Sequence, residues 1–173
     1  MQAITNALYY LLSNPEYVEP LRHEVETVVA EEGWTKAAMD KMHKMDSFVR
    51  ETLRTRASGI CPLIILARLQ LLILCFLFPV ANNRLALRPF TFSNGVTVPA
   101  GTLIAVPSDA IHEDGDIYPN PEKFDGFRFA KLRERDGVAV AGYQATSTSV
   151  EYLSFAYGRH SWFFVLFCFN PLQ

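Results

Sequence analysis

The apolar positions of this chain change their period twice, and each change marks a change of architecture. Residues 3–12 are dense in Ala, Ile, Leu and Tyr and read as the tail of an apolar helix already under way, whose beginning is expected upstream. Ser13-Asn14-Pro15-Glu16 then has the form of a capping box with proline in the first turn, which predicts a new helix start. Val18, Leu21, Val25 and Val28 follow at helical spacing and place one apolar face on a helix that stops at Gly33. Thr35 opens a further helical stretch that runs through Arg54, with Met39, Met42 and Met45 on one side and Phe48, Val49 and Leu53 continuing the apolar positions.

The second regime is a run of apolar residues at 63–81, interrupted by Arg68 and Gln70. Its charge-free part, residues 69–81, falls well short of the ~20 residues that cross a bilayer, and Phe78-Pro79-Val80 breaks a helix. A buried or misplaced hydrophobic insert is the expectation; a small protein anchored through residues 69–80 is the membrane alternative. The period then becomes two. Phe90-Thr91-Phe92-Ser93 and Val96-Thr97-Val98 flank Asn94-Gly95, predicting a hairpin with a two-residue turn. Pro99-Ala100-Gly101 makes a second turn and residues 102–106 a further strand. Residues 112–128 have neither period and read as an ordered surface meander; residues 131–149 read as a polar loop. Helices first, a small sheet second and irregular segments last make an α+β, mainly α, pattern.

With 173 residues, half of them hydrophobic and 13% aromatic, the chain is long enough to bury roughly 70% of its unfolded surface as one domain. A net charge of −2 without a basic stripe gives nucleic acid no electrostatic footing as a partner. Cys61, Cys75 and Cys168 lie too far apart for a zinc site or a disulfide framework, which suits a reducing compartment. The first residues show neither a cationic segment nor a cleavage site, so no signal peptide is expected there.

Three short constellations carry candidate chemistry. Glu51-Thr52-Leu53-Arg54 sets a carboxylate and a guanidinium on one helix face, which by itself reads as a solvated surface pair. Pro121-Glu122-Lys123-Phe124-Asp125-Gly126-Phe127-Arg128-Phe129 sets an arginine among aromatics, which by itself is an exposed loop arginine. Phe155-Ala156-Tyr157-Gly158-Arg159-His160 offers a glycine where backbone approaches a flat ligand and a basic side chain that can meet an acid group.

In this order, and with the running text around them, these elements resemble the cytochrome P450 superfamily in its fungal members. The resemblance covers nearly the whole chain except residues 63–83 and 162–173. It implies one partial domain over residues 1–173, matching the late I helix, the J and K helices, the small sheet, the meander and the start of the cysteine loop, with atypical inserts at 63–83 and 162–173. It implies haem as cofactor, an NADPH-dependent reductase and an apolar small-molecule substrate as partners, and an endoplasmic reticulum membrane location for a full-length member. Glu51 and Arg54 match the family's Glu-x-x-Arg pair, with Arg128 as third member of a structural network. Phe155 and Gly158 match the haem-binding loop, and His160 its propionate-facing basic position. Arg84 or Arg88 supplies another propionate contact.

The departures from the family pattern matter as much. In Phe-x-x-Gly-x-(Arg/His)-x-Cys-x-Gly the cysteine falls on Trp162 and the last glycine on Phe164. Cysteine thiolate pushes electron density onto iron, whereas an indole nitrogen is a donor only. Cys168 comes six residues late, about 9 Å farther along if helical, and reaches the metal only through a rebuilt loop. No residue is assigned to the family's oxygen-activating acid–alcohol pair; Thr5 sits too late in its helix. The family function is a haem-thiolate monooxygenase, inserting one oxygen atom from dioxygen into an organic substrate. This chain is expected to lack that activity, as a truncated fragment or pseudoenzyme unable to bind haem.

Overall fold

The computed structural model describes residues 2–55, 81–136 and 142–158. The hydrophobic run at 63–80, all three cysteines, His160 and Trp162 lie outside these residues, and the expectations attached to them stay with the sequence. Among the described residues no helix is long and apolar enough to cross a membrane, and no group of His, Cys, Asp or Glu could hold a metal ion.

Helix α1 spans Gln2–Ser13 and helix α2 spans Val18–Glu32, joined by a 3-10 turn at Pro15–Tyr17. The expected capping box does not form. Ser13 is the last residue of α1, and Asn14 makes no side-chain cap; its Nδ2 instead donates back to Tyr10 O at 2.8 Å. Proline's fixed φ starts the 3-10 turn rather than an α-helix. Helix α2 does end at Gly33, whose φ of +67° needs a residue without Cβ strain and whose amide donates to Val29 O at 2.9 Å.

The single helix expected from Thr35 to Arg54 is two. Helix α3 covers Lys36–Lys41, with Thr35 Oγ1 accepting from Ala38 N at 3.1 Å, and helix α4 covers His43–Thr55. The chain breaks at Met42, where ψ is +71°. A partner from another helix makes the break favourable: the Glu24 carboxylate of α2 accepts from Lys44 N at 2.8 Å and Met45 N at 2.9 Å, filling orphan donors in the first turn of α4. The break also ends the methionine stripe, since Met39 is 61% exposed and Met42 only 7%.

Helix α4 is the centre of the molecule. It buries Ser47, Phe48, Arg50, Glu51, Thr52, Leu53 and Arg54, so its polar side chains must find partners inside the protein. Leu53 packs with Tyr152 and Phe155, and Ala3 of α1 and Val49 close over them. On another side Phe48 meets Phe124 and Tyr17 edge-on or tilted, and Tyr10 stacks on Phe124 with centroids 4.2 Å apart. Gly126 sits under Phe48 so closely that a Cβ there would lie 2.6 Å from the ring.

Two small antiparallel pairs follow. Strand β1 (Ala81–Leu85) pairs with β4 (Leu103–Val106), with Arg84 opposite Ile104; β2 (Phe90–Thr91) pairs with β3 (Thr97–Val98). The β2–β3 connection is longer than the expected two-residue turn. Gly95 N donates to Phe92 O and Phe92 N to Val96 O, both at 2.9 Å, so Ser93, Asn94 and Gly95 form a three-residue loop with Gly95 at φ +85°.

Helix α5 (Ser108–His112) leads into the meander, and helix α6 (Arg128–Asp136) leaves it. The meander is not a surface feature throughout: His112 and Tyr118 are buried. Nor is the stretch after it all loop, because residues 131–136 continue α6. That helix is capped from α4: Ser47 Oγ accepts from Phe129 N at 3.1 Å and Ala130 N at 3.0 Å while donating to Gly126 O at 2.9 Å. The cap residue lies more than eighty positions away, so no local reading finds it.

Candidate functional site

Glu51, Arg54 and Arg128 meet in one buried cluster. Glu51 Oε2 accepts from Arg54 Nε at 2.8 Å and Oε1 from Arg54 Nη2 at 2.9 Å, a two-pronged pair within one helical turn. Arg128 Nε donates to the same Oε1 at 3.1 Å, and Asp125 N adds a 3.2 Å bond to it. Glu51 and Arg54 have fully buried side chains, and Arg128 is nearly so. The reading of Glu51 and Arg54 as a solvated surface pair is therefore wrong for this fold.

One carboxylate cannot neutralise two guanidinium groups, and the surplus charge is met by backbone dipoles. Arg54 Nη1 donates to His112 O at 2.5 Å and Nη2 to Pro121 O at 2.9 Å. Arg128 Nη1 donates to Pro119 O at 2.6 Å, and Nη2 to Asn120 O at 3.2 Å and Lys123 O at 2.9 Å. Three meander carbonyls converge on Arg128 because Asn120 takes a φ of +49°, a left-handed turn that asparagine tolerates better than most residues. The result ties the meander to the face of α4.

The Phe155–Gly158 segment adjoins this cluster through α4. Phe155 is buried against Leu53, the residue before Arg54, and Ser154 Oγ donates to Leu53 O at 3.1 Å. Ala156 N donates to Leu153 O at 2.9 Å in a turn that forces Ala156 to φ +63°, and Gly158 follows at +100°. A strained alanine beside a glycine that needs its freedom marks a segment whose shape is imposed by its surroundings. Gly158 is exposed, and a Cβ on it would meet open space. Arg84 lies exposed on β1 and Arg88 exposed in the bend after it.

Several residues of the site escaped sequence reasoning. His112 is 1% exposed and lies between the cluster and the Phe155 segment, with Nδ1 3.1 Å from Arg54 O and Nε2 accepting from Leu153 N at 2.9 Å. Burial is the main cause that pulls its pKa down to about 4, against the hydrogen bond to Arg54 O; the Arg54 and Arg50 charges add to the lowering. Arg50 stacks on Tyr152, with Cζ 3.9 Å from the ring centroid, and on Phe129 at 4.6 Å, and it donates to Gln144 O. Burial lowers the Arg50 pKa from its ordinary value. Burial likewise pushes Tyr152 up and brings Tyr118 to about 12. Asp46 accepts from Ala145 N at 2.9 Å and Arg133 Nη2 at 3.2 Å, binding the 142–158 segment to the start of α4. The helical spacing of Phe48, Val49 and Leu53 marks the apolar face of α4, but it gives no sign that Arg50 and His112 are buried.

Comparison with known proteins identifies the family. The family model described as Cytochrome P450 matches residues 1–63 and 74–161. The chain is 42% identical to cytochrome P450 monooxygenase 103 of Postia placenta over 159 residues, which is 92% of this chain and 28% of that protein. It is 35% identical to cytochrome P450 monooxygenase 71 of the same fungus over 171 residues, 99% of this chain and 30% of the relative. It is also 35% identical to the ent-kaurene oxidase of Fusarium fujikuroi over 161 residues, 91% of this chain and 27% of that enzyme. The chain thus spans less than a third of the length of each of these relatives.

Proposed function

The chain belongs to the cytochrome P450 family, and from that membership we propose that it forms the bracing side of a haem-thiolate monooxygenase fold while this polypeptide does not itself insert oxygen. In the family's chemistry one atom of dioxygen enters an apolar organic substrate, with electrons from an NADPH-dependent reductase at the endoplasmic reticulum membrane. The observation that supports the bracing role is the buried Glu51 carboxylate bridging Arg54 and Arg128. An ion cluster of this kind adds rigidity and orientation rather than chemistry, because every charged atom of Glu51 is already engaged.

The family's cofactor is haem. The cradle side of the chain suits a flat group: Phe155 packs inward, and Gly158 presents open space at a φ that a side chain would strain. The donor set does not suit its iron. Four residues after Gly158, where the family pattern carries its thiolate, stands Trp162, whose indole has no lone pair to give a metal. No catalytic step is therefore assigned to this chain.

The test is spectroscopic. The 173-residue chain, incubated with haemin, reduced and exposed to carbon monoxide, is expected to show no thiolate-type red-shifted Soret band. Appearance of that band at stoichiometric haem would overturn the proposal and restore a cysteine ligand.

A further inference from the structure

We propose that His112 is a positioning residue that locks the 152–155 segment onto helix α4, and that it does so only as a neutral imidazole carrying its proton on Nδ1. The assignment follows from what each ring nitrogen faces. Leu153 contributes an N–H, which can only donate, so Nε2 at 2.9 Å must accept. Arg54 contributes a carbonyl, which can only accept, so Nδ1 at 3.1 Å must donate. One tautomer satisfies both bonds. A doubly protonated ring would set two donors against each other at Leu153.

The rest of the environment holds the ring in place and opposes a charge on it. The imidazole stacks on Tyr152 with centroids 5.6 Å apart and meets Tyr118 edge-on at 6.4 Å. The titratable groups around it are the Arg50 and Arg54 cations and the Glu51 carboxylate of α4, with Tyr118 from the meander and Tyr152 from the segment it holds; Glu51 is already committed to Arg54 and Arg128. The backbone of His112 meanwhile accepts from Arg54 Nη1, so the residue grips Arg54 through both its carbonyl and its ring. Glu51–Arg54 and the lead-in to Phe155 are thereby coupled through a single side chain, which deepens the bracing role proposed above.

The competing account is that His112 merely fills space between two tyrosines. Amide hydrogen exchange on the full chain separates the two, and it needs no haem, so its failure is distinct from failure of the bracing proposal. His112→Phe keeps the ring stack and loses both bonds; His112→Gln keeps an acceptor within reach of Leu153 N. Exchange at Leu153 is expected to accelerate about 10- to 100-fold in His112→Phe, with most of the protection retained in His112→Gln. Unchanged exchange at Leu153 in His112→Phe, or the same acceleration at Leu153 in both variants, would overturn the proposal. Nitrogen-15 spectra of the unaltered chain test it independently of either variant: the Nδ1–H tautomer at neutral pH is expected, and an Nε2–H tautomer or an imidazolium refutes it.

Discussion

Arg128 and Glu51 are 77 residues apart in the chain and 3.1 Å apart in the fold. That one contact sets the connection between helix α4 and the meander, because Arg128 is also the point on which the carbonyls of Pro119, Asn120 and Lys123 converge. Arginine is needed there for its shape. A lysine ammonium carries the same charge but cannot present a planar fork to a carboxylate and three carbonyls at once.

Arg128→Lys is therefore expected to lower unfolding free energy by about 2–3 kcal/mol, and Glu51→Gln by about 3–5 kcal/mol, since the latter leaves two buried cations without a counter-charge. In the double variant the losses should fall well short of additive, because both changes disable the same contact. Urea unfolding at constant m-value measures each. Strict additivity would show that the two residues do not act as one unit.

Ala156 supplies the opposite kind of prediction. Its φ of +63° is unfavourable for any residue with a Cβ, and glycine removes that cost at the price of a more disordered unfolded chain. Ala156→Gly is expected to stabilise by roughly 0.5–1 kcal/mol. Thermal unfolding reads it, and a lowered midpoint would mean that the methyl group makes contacts that outweigh the strain.

The pH dependence of stability is expected to centre on His112. The unfolded residue takes up a proton near its ordinary 6.5, whereas burial delays this in the fold to about 4. Between those values the unfolded state binds more protons, so stability is complete above 6.5 and falls as pH drops through the window. The loss amounts to roughly 3 kcal/mol at its lower end. Denaturant midpoints from pH 7 to 4 in the unaltered chain and in His112→Gln provide the measurement; identical slopes would assign the effect to other groups.

What was legible in the sequence depended on how far each partner lay along the chain. Glu51 and Arg54 could be paired because they share a helical turn, and Gly33 could be read as a stop because its conformation is a local matter. Residue spacing alone gave no reason to bring Arg128 to Glu51; only the family resemblance placed it there. The break at Met42 depends on a carboxylate of α2, the start of α6 on a hydroxyl of α4, and the role of His112 on two backbone groups far from it in sequence. Each of these is a side chain bonding to main chain across the fold, and hydrophobic periodicity carries no trace of such bonds. The capping box failed for a local reason: Ser13, its cap residue, closes α1 instead, and Asn14 bonds back to the carbonyl of Tyr10.

Gly126 offers the sharpest steric test, because it needs neither unusual φ nor a ligand. Its amide donates to Tyr17 Oη at 3.2 Å, its carbonyl accepts from Ser47 Oγ at 2.9 Å, and Phe48 lies directly over its α-carbon. An added methyl would meet the Phe48 ring at 2.6 Å and Tyr17 at 3.0 Å, both within the aromatic cluster that seats the meander on α4. Gly126→Ala is expected to cost about 1–3 kcal/mol, since a packed ring must leave its rotamer or the backbone must retreat from Ser47. Phe48→Leu in the same background should recover part of the loss by vacating the space. If Gly126→Ala unfolds at the same denaturant concentration as the unaltered chain, the close seating of the meander against Phe48 is incorrect.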